Sequence, residues 1–193
     1  SKEFRDRYLS DPKNPNVFNG KAVVFEGPED YHKRINDKKL KIDENSILII
    51  RGCGPVGYPG SAEVVNMQPP DRLLKRGIAH LPTLGDGRQS GTSESPSILH
   101  VSPESAVGGD LGIVKTGDKM KIDLNKRRVD LLISQSEFKK RRKNKKLFKA
   151  DNQTPWQEIF RNTVGQLEDG ACINSRGTYL DVSNKKGLPR NSH

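Results

Sequence analysis

Ser46-Ile47-Leu48-Ile49-Ile50-Arg51 is a continuous apolar run of strand length, the pattern expected where a strand is buried on both faces of a sheet. Upstream, Lys21-Ala-Val-Val-Phe-Glu26 reads as a second strand. Between them Pro28-Glu29-Asp30 opens a short helix, with proline in its first turn and acids near its positive end. The natural assembly of these pieces is a β-α-β unit.

Immediately after the apolar run come Gly52, Gly54, Gly57 and Gly60 with Pro55 and Pro59, in a loop that ends at Glu63. Such a composition marks backbone that other residues resist adopting. Residues Pro69 to Gly77 read as a helix with Leu73 and Leu74 inward and Gly77 as its stop, and Ile78 to Leu84 lead into a second polar loop, Gly85-Asp-Gly-Arg-Gln-Ser-Gly-Thr-Ser93. Hydroxyls, an arginine and glycines in one segment neither bury much apolar area nor continue a helix or strand, which is how a ligand-holding loop reads. Farther on, Leu111–Lys115, Lys119–Leu124 and Arg127–Ile133 alternate apolar and polar residues around Thr116-Gly117-Asp118 and Asn125-Lys126, predicting a three-stranded meander. Thr154-Pro155-Trp156-Gln157 has the form of a capping box, and Ile159, Phe160, Val164 and Leu167 continue at helical spacing to Gly170.

With 193 residues and 32% hydrophobic content the chain suits one sizeable core plus extensions. Residues 1–20 read as a polar connector, 21–183 as the domain, with Tyr179, Leu180 and Val182 as a last short packed element, and 184–193 as a polar tail. No apolar run reaches membrane-spanning length and the first residues lack the apolar segment of a secretory signal. The expectation is therefore a soluble cytoplasmic protein, or a mitochondrial one where the full-length polypeptide carries a transit peptide. Cys53 and Cys172 lie far apart with no C-x-x-C spacing, so no self-contained disulfide framework, zinc site or iron–sulfur site is implied. The net charge of +10 is concentrated between Lys139 and Lys149, where eight cations occur without an acid. No aromatics interleave with it, so the run reads as a solvated helix face or helix-to-loop exit in preference to a nucleic-acid contact.

Three motifs, in order, carry a resemblance: Gly54-Pro-Val-Gly-Tyr-Pro-Gly-Ser-Ala-Glu63, Gly85-Asp-Gly-Arg-Gln-Ser-Gly-Thr-Ser93, and His100-Val-Ser-Pro-Glu-Ser-Ala-Val-Gly-Gly109 leading into Lys115-Thr-Gly-Asp118. From about Lys21 to about Val182 the chain resembles the C-terminal domain of the dihydroxy-acid and sugar-acid dehydratases. Gln89, the Ser-Gly-Thr-Ser run and Thr154-Pro-Trp156 are most similar to the pentonate branch, arabinonate or xylonate dehydratase. The resemblance implies an α/β, β-rich fold, a swivelling β/β/α barrel-like domain with peripheral helices. It also implies a larger N-terminal domain holding a [2Fe-2S] cluster and most ligands of a Mg2+ ion, so that this chain alone is inactive, and an assembled homo-oligomer, dimer or tetramer.

By the same resemblance, Ser90 matches the family's serine alkoxide base, supported by Thr92, and Glu63 matches the carboxylate that this domain gives to Mg2+. Arg88, Gln89, Ser93 and His193 are the candidate substrate contacts, on a small sugar acid. Each has a plainer reading beside it. Ser90 and Thr92 are also ordinary turn residues, Glu63 is also a solvated acid, Arg88 and Asp86 also suit a local ion pair, and His193 is terminal. His80 and His100 lack metal-ligand spacing and read as packing or surface residues. Two other functions stay open on the residues: a dihydroxy-acid dehydratase of branched-chain amino-acid synthesis, and a non-catalytic basic binding module.

Overall fold

The two strands read from the apolar runs pair in parallel, β1 (Val17–Glu26) with β2 (Ser46–Arg51), in register from Lys21↔Ser46 to Glu26↔Arg51. Helix α2 (Gly27–Arg34) makes the crossover and carries Pro28 in its first turn. In this computed structural model, which describes residues 1–91, 96–173 and Lys185, β2 is the buried axis of the sheet. Ile47, Leu48, Ile49 and Ile50 are all fully buried, each contributing about 1.5–3 kcal/mol by its removal from water. Only Arg51, at the strand's end, escapes that burial.

Four further strands complete a mixed six-stranded sheet in the order β4-β3-β2-β1-β5-β6. Strands β3 (Thr83–Gly85) and β4 (Ser97–Ile98) extend the parallel side, and β5 (Lys119–Asp123) and β6 (Arg128–Leu131) form an antiparallel hairpin against β1. The sheet curls into a half-barrel flanked by a few helices, an α/β and sheet-rich fold. Because β1 to β4 run the same way, their carboxyl ends open onto one edge, where α/β sheets place their ligands.

Several expectations are corrected. Leu111–Lys115 is not a strand: Asp110–Ile113 is a 3-10 turn, so the meander reduces to the β5–β6 hairpin. The cause is Arg51, whose Nη1 donates to the carbonyls of Leu111, Gly112 and Val114 at 3.2, 3.0 and 2.9 Å. A strand alternates its carbonyls and would not aim them together at one guanidinium. The helix expected over 69–77 shortens to α3 (Asp71–Leu74), followed by a turn that Gly77 ends at φ +78°. Helix α5 (Pro155–Thr163) has the expected capping box between Thr154 and Gln157 but stops before Val164, which leaves the helix to bridge Ile173. A separate 3-10 turn, Leu167–Asp169, then reaches Gly170.

The stretch read as a connector has structure of its own. Helix α1 (Lys2–Tyr8) buries Tyr8 edge-on against Phe18, with ring centroids 5.0 Å apart, and β1 already begins at Val17. The basic run forms helix α4 (Gln135–Lys143), capped by the Ser134 side chain, and is more than a solvated face. Arg141 is almost buried against Asp118 and Glu137, and Lys145 donates to the Gly108 carbonyl. No helix among the described residues is long and apolar enough to cross a membrane. Tyr179, Leu180, Val182 and the tail expected over 184–193, apart from Lys185, lie outside the described residues.

Candidate active site

The loops that leave β2, β3 and β4 at the carboxyl edge are tied together by two carboxylates, Asp86 after β3 and Glu104 after β4, both with no exposed surface. Asp86 accepts hydrogen bonds from the backbone N–H groups of Gly52 (3.1 Å), Cys53 (2.9 Å) and Ser105 (2.9 Å), and from the Ser105 hydroxyl (2.6 Å). Glu104 accepts from the N–H groups of Val56 (2.9 Å) and Gly57 (2.8 Å) and from Nε2 of Gln166 (2.8 Å). Gly54 has to lack a side chain here, since a Cβ would lie 2.5 Å from the Glu104 carboxylate. A buried carboxylate is tolerable when donors converge on it.

These bonds define what the glycine-rich loop does. Backbone N–H groups in such a loop make an anion cradle only while they are open to a ligand. Here the chain's own Asp86 and Glu104 occupy those of Gly52, Cys53, Val56 and Gly57. The loop is therefore a scaffold, a role that the motifs assign to neither carboxylate. Asp86 does not serve as the partner of Arg88, one of the two roles open to it.

Arg88 pairs instead with Glu63. Their backbones form a parallel bridge, flanked by Arg88 N–H donating to Ala62 O and Val65 N–H donating to Arg88 O, both at 3.0 Å. The Arg88 Nη1 lies 3.4 Å from Glu63 Oε1, and Nε donates to Ser61 O at 2.7 Å. The candidate base Ser90, half-buried, stands two residues beyond this bridge and Gln89 one residue beyond it. Glu63 itself is half-exposed and lines a polar cavity of about 490 Å³ with Tyr31, His32, Asn66 and Gln68. The structure thus sets the Glu63 segment against the segment that leads to Ser90. Thr92, Ser93 and His193 lie outside the described residues.

A larger cavity of about 540 Å³ lies between the β1 and β2 ends and α4, lined by Arg51, Lys115, Lys140, Arg141 and Phe148 among others. Its two arginines are already satisfied: Arg51 by Glu26 and three carbonyls, Arg141 by Asp118 and Glu137. The segment after α4 then covers the glycine loop. Phe148 lies over Gly52, where φ is +73° and any Cβ would run into the ring, and Ala150 N–H donates to Gly57 O at 2.8 Å. The basic run therefore ends as a clamp on the loop scaffold.

The same side chains decide which metal groups this chain could hold. Among the described residues no group of three His, Cys, Asp or Glu is placed to hold a metal ion. Cys53 is fully buried, and burial, reinforced by the negative Asp86, Glu29, Glu104 and Glu26, pushes its thiol well above the ordinary range. A thiol held in its protonated form is a poor iron ligand, and Cys172 is exposed with no metal-holding group of His, Cys, Asp or Glu around it among the described residues. The residues present do not fit an iron–sulfur cluster. Glu63, a hard oxygen donor at the mouth of a polar cavity, fits a single position around a cation such as Mg2+. In the native chain at pH 8, iodoacetamide is expected to label Cys172 and to reach Cys53 only after denaturation, as counted by intact-mass spectrometry. The Cys53 contribution to stability is fully present below the ordinary thiol pKa of about 8.5 and drains away as pH rises toward the elevated folded value. Its slope is at most about 1.4 kcal/mol per pH unit.

Comparison with known proteins gives a consistent picture. Residues 10–171 match the family model for the dihydroxy-acid/6-phosphogluconate dehydratase C-terminal domain. The chain is 55% identical over 191 residues to a D-xylonate dehydratase of Caulobacter vibrioides, covering 99% of this chain and 32% of that protein. It is 50% identical over 125 residues to an L-arabinonate dehydratase of Rhizobium leguminosarum bv. trifolii, covering 65% and 22%. Against a dihydroxy-acid dehydratase of Thermodesulfovibrio yellowstonii the identity is 40% over 157 residues, covering 81% and 28%. The chain spans about a third or less of the length of these curated relatives.

Proposed function

The chain belongs to the dihydroxy-acid/6-phosphogluconate dehydratase family, as its C-terminal domain, and we propose that it is the C-terminal part of a hydro-lyase that converts a pentonate to its 2-keto-3-deoxy acid. The observation that carries the sugar-acid branch is the likeness to the D-xylonate dehydratase, which runs over nearly the whole chain and exceeds the likeness to the dihydroxy-acid dehydratases. The geometry agrees with it, since the Glu63–Arg88 bridge holds the Ser90 loop against the Glu63 segment at the ligand-binding edge.

In this reading the Ser90 Oγ, as alkoxide, takes the proton from C2, next to the substrate carboxylate. The C2–H electron pair moves toward C3, the C3 hydroxyl takes back the proton held by Ser90 and leaves as water, and the resulting enol gives its O–H proton to solvent and takes one up at C3 to give the keto acid. Glu63 would give one carboxylate oxygen to Mg2+, and the N-terminal domain would supply most of the other ligands. Bound there, the ion supplies the positive field that stabilises charge developing beside C2 and lowers the serine's pKa. We assign the [2Fe-2S] cluster wholly to the N-terminal portion, because Cys53 and Cys172 do not suit it. Gln89, Thr92, Ser93 and His193 remain the proposed contacts around substrate and base.

The test is a screen of the full-length enzyme against D-xylonate, L-arabinonate and 2,3-dihydroxy-3-methylbutanoate, following keto-acid formation. A pentonate is expected to lead in kcat/KM by about 10-fold or more. The opposite order would move the protein to the branched-chain enzymes, and no turnover on any of the three would remove the hydro-lyase reading.

A further inference from the structure

We infer that Arg88 is a positioning residue that aims the Glu63 carboxylate at its cation, and not primarily a contact for substrate. The inference rests on the reading of Glu63 as a Mg2+ ligand. Residues paired across a parallel bridge point their side chains to the same face, so the Glu63↔Arg88 bridge puts acid and guanidinium side by side. The guanidinium is itself held from behind, through Nε to Ser61 O at 2.7 Å, which leaves Nη1 facing Glu63 Oε1 at 3.4 Å. Oε2 of Glu63 has no hydrogen bond among the described residues, beside the polar cavity that Glu63 lines.

Magnitudes separate this role from a stabilising one. Both side chains are nearly half-exposed, and such an ion pair is worth about 0–1 kcal/mol; the backbone bonds on either side hold the bridge without it. What the guanidinium adds is orientation of one carboxylate oxygen. Partners of that kind behind a metal ligand typically contribute about 10–100-fold in metal affinity. Charge alone would act in the opposite direction, because a nearby guanidinium repels Mg2+. The sign of the change therefore distinguishes orientation from electrostatics.

The experiment is calorimetric titration of Mg2+ into the full-length protein, wild type against Arg88→Gln, Arg88→Lys and Glu63→Gln. Arg88→Gln is expected to weaken Mg2+ binding by about 10–100-fold. Arg88→Lys should weaken it too, since one ammonium does not replace a fork that reaches Ser61 O and Glu63 together. Turnover of Arg88→Gln should recover as Mg2+ is raised to saturation, which a misshapen loop would not do. Unchanged or tighter Mg2+ binding by Arg88→Gln, with Glu63→Gln weakened, overturns the inference and leaves the Glu63 reading intact. Unchanged binding by Glu63→Gln overturns the Glu63 reading and the inference with it. Should Arg88→Gln fail to fold, Mg2+ binding by Arg88→Lys decides in its place, weakened binding supporting the inference and unchanged binding overturning it.

Discussion

Ser90→Ala in the full-length enzyme is expected to lower kcat by about 10²–10⁴-fold, the usual contribution of a positioned general base, with Mg2+ affinity and substrate KM unchanged. A serine hydroxyl is a weak base at its ordinary pKa, so it works only where positive charge is fixed nearby. The fold supplies such a place. Ser90 follows Arg88 by two residues on the loop that leaves β3, and the bridge to Glu63 holds that loop beside the carboxylate proposed to bind the cation. A turn-forming serine makes a different prediction: its removal would cost stability and leave kcat alone. Wild type is expected to exchange the substrate's C2 hydrogen with deuterated water, and loss of that exchange in Ser90→Ala would place the defect at proton abstraction. A Ser90→Ala enzyme with wild-type kcat would take Ser90 out of the chemistry.

Local signals were legible and long-range ones were not. The apolar run of β2 and the capping box of α5 each depend on neighbours within a few residues, and both appear where the sequence places them. The β5–β6 hairpin follows from its turn at Asn125-Lys126. Leu111–Lys115 alternates like a strand, but its carbonyls are captured by Arg51, about 60 residues earlier in the chain. The basic run looks solvated until Asp118, 23 residues before Arg141, is found against it. At the site, the motifs located the loops carrying Glu63 and Ser90, yet they gave no role to Glu104 and left Asp86 between an ion pair and a substrate contact. An acid in a polar, glycine-rich stretch reads as exposed. The signal available was the excess of loop N–H donors in 52–57, which need acceptors if the loop is buried.

Asp86→Ala is expected to destabilise the protein by about 3–5 kcal/mol, because the Cys53 and Ser105 N–H groups and the Ser105 hydroxyl lose their acceptor together, while Gly52 N–H keeps Ser105 Oγ at 2.8 Å. Each stranded donor costs about 1–3 kcal/mol, and the sum is tempered by relaxation and by water entering the gap. Against a typical total of about 5–15 kcal/mol, that is a large share. Asp86→Asn keeps the shape but turns an NH₂ toward at least one of the same donors, so its cost should be smaller, about 1–3 kcal/mol. Urea unfolding of the purified protein measures the order. A second readout is chemical: Cys53 N–H is one of the three donors, so loosening that strand end should let iodoacetamide reach the Cys53 thiol in the native Ala variant. An alanine variant as stable as wild type, with Cys53 still protected, would mean that the loop of β2 is held by the Glu104 bonds and the Phe148 clamp, and that Asp86 is dispensable to the scaffold.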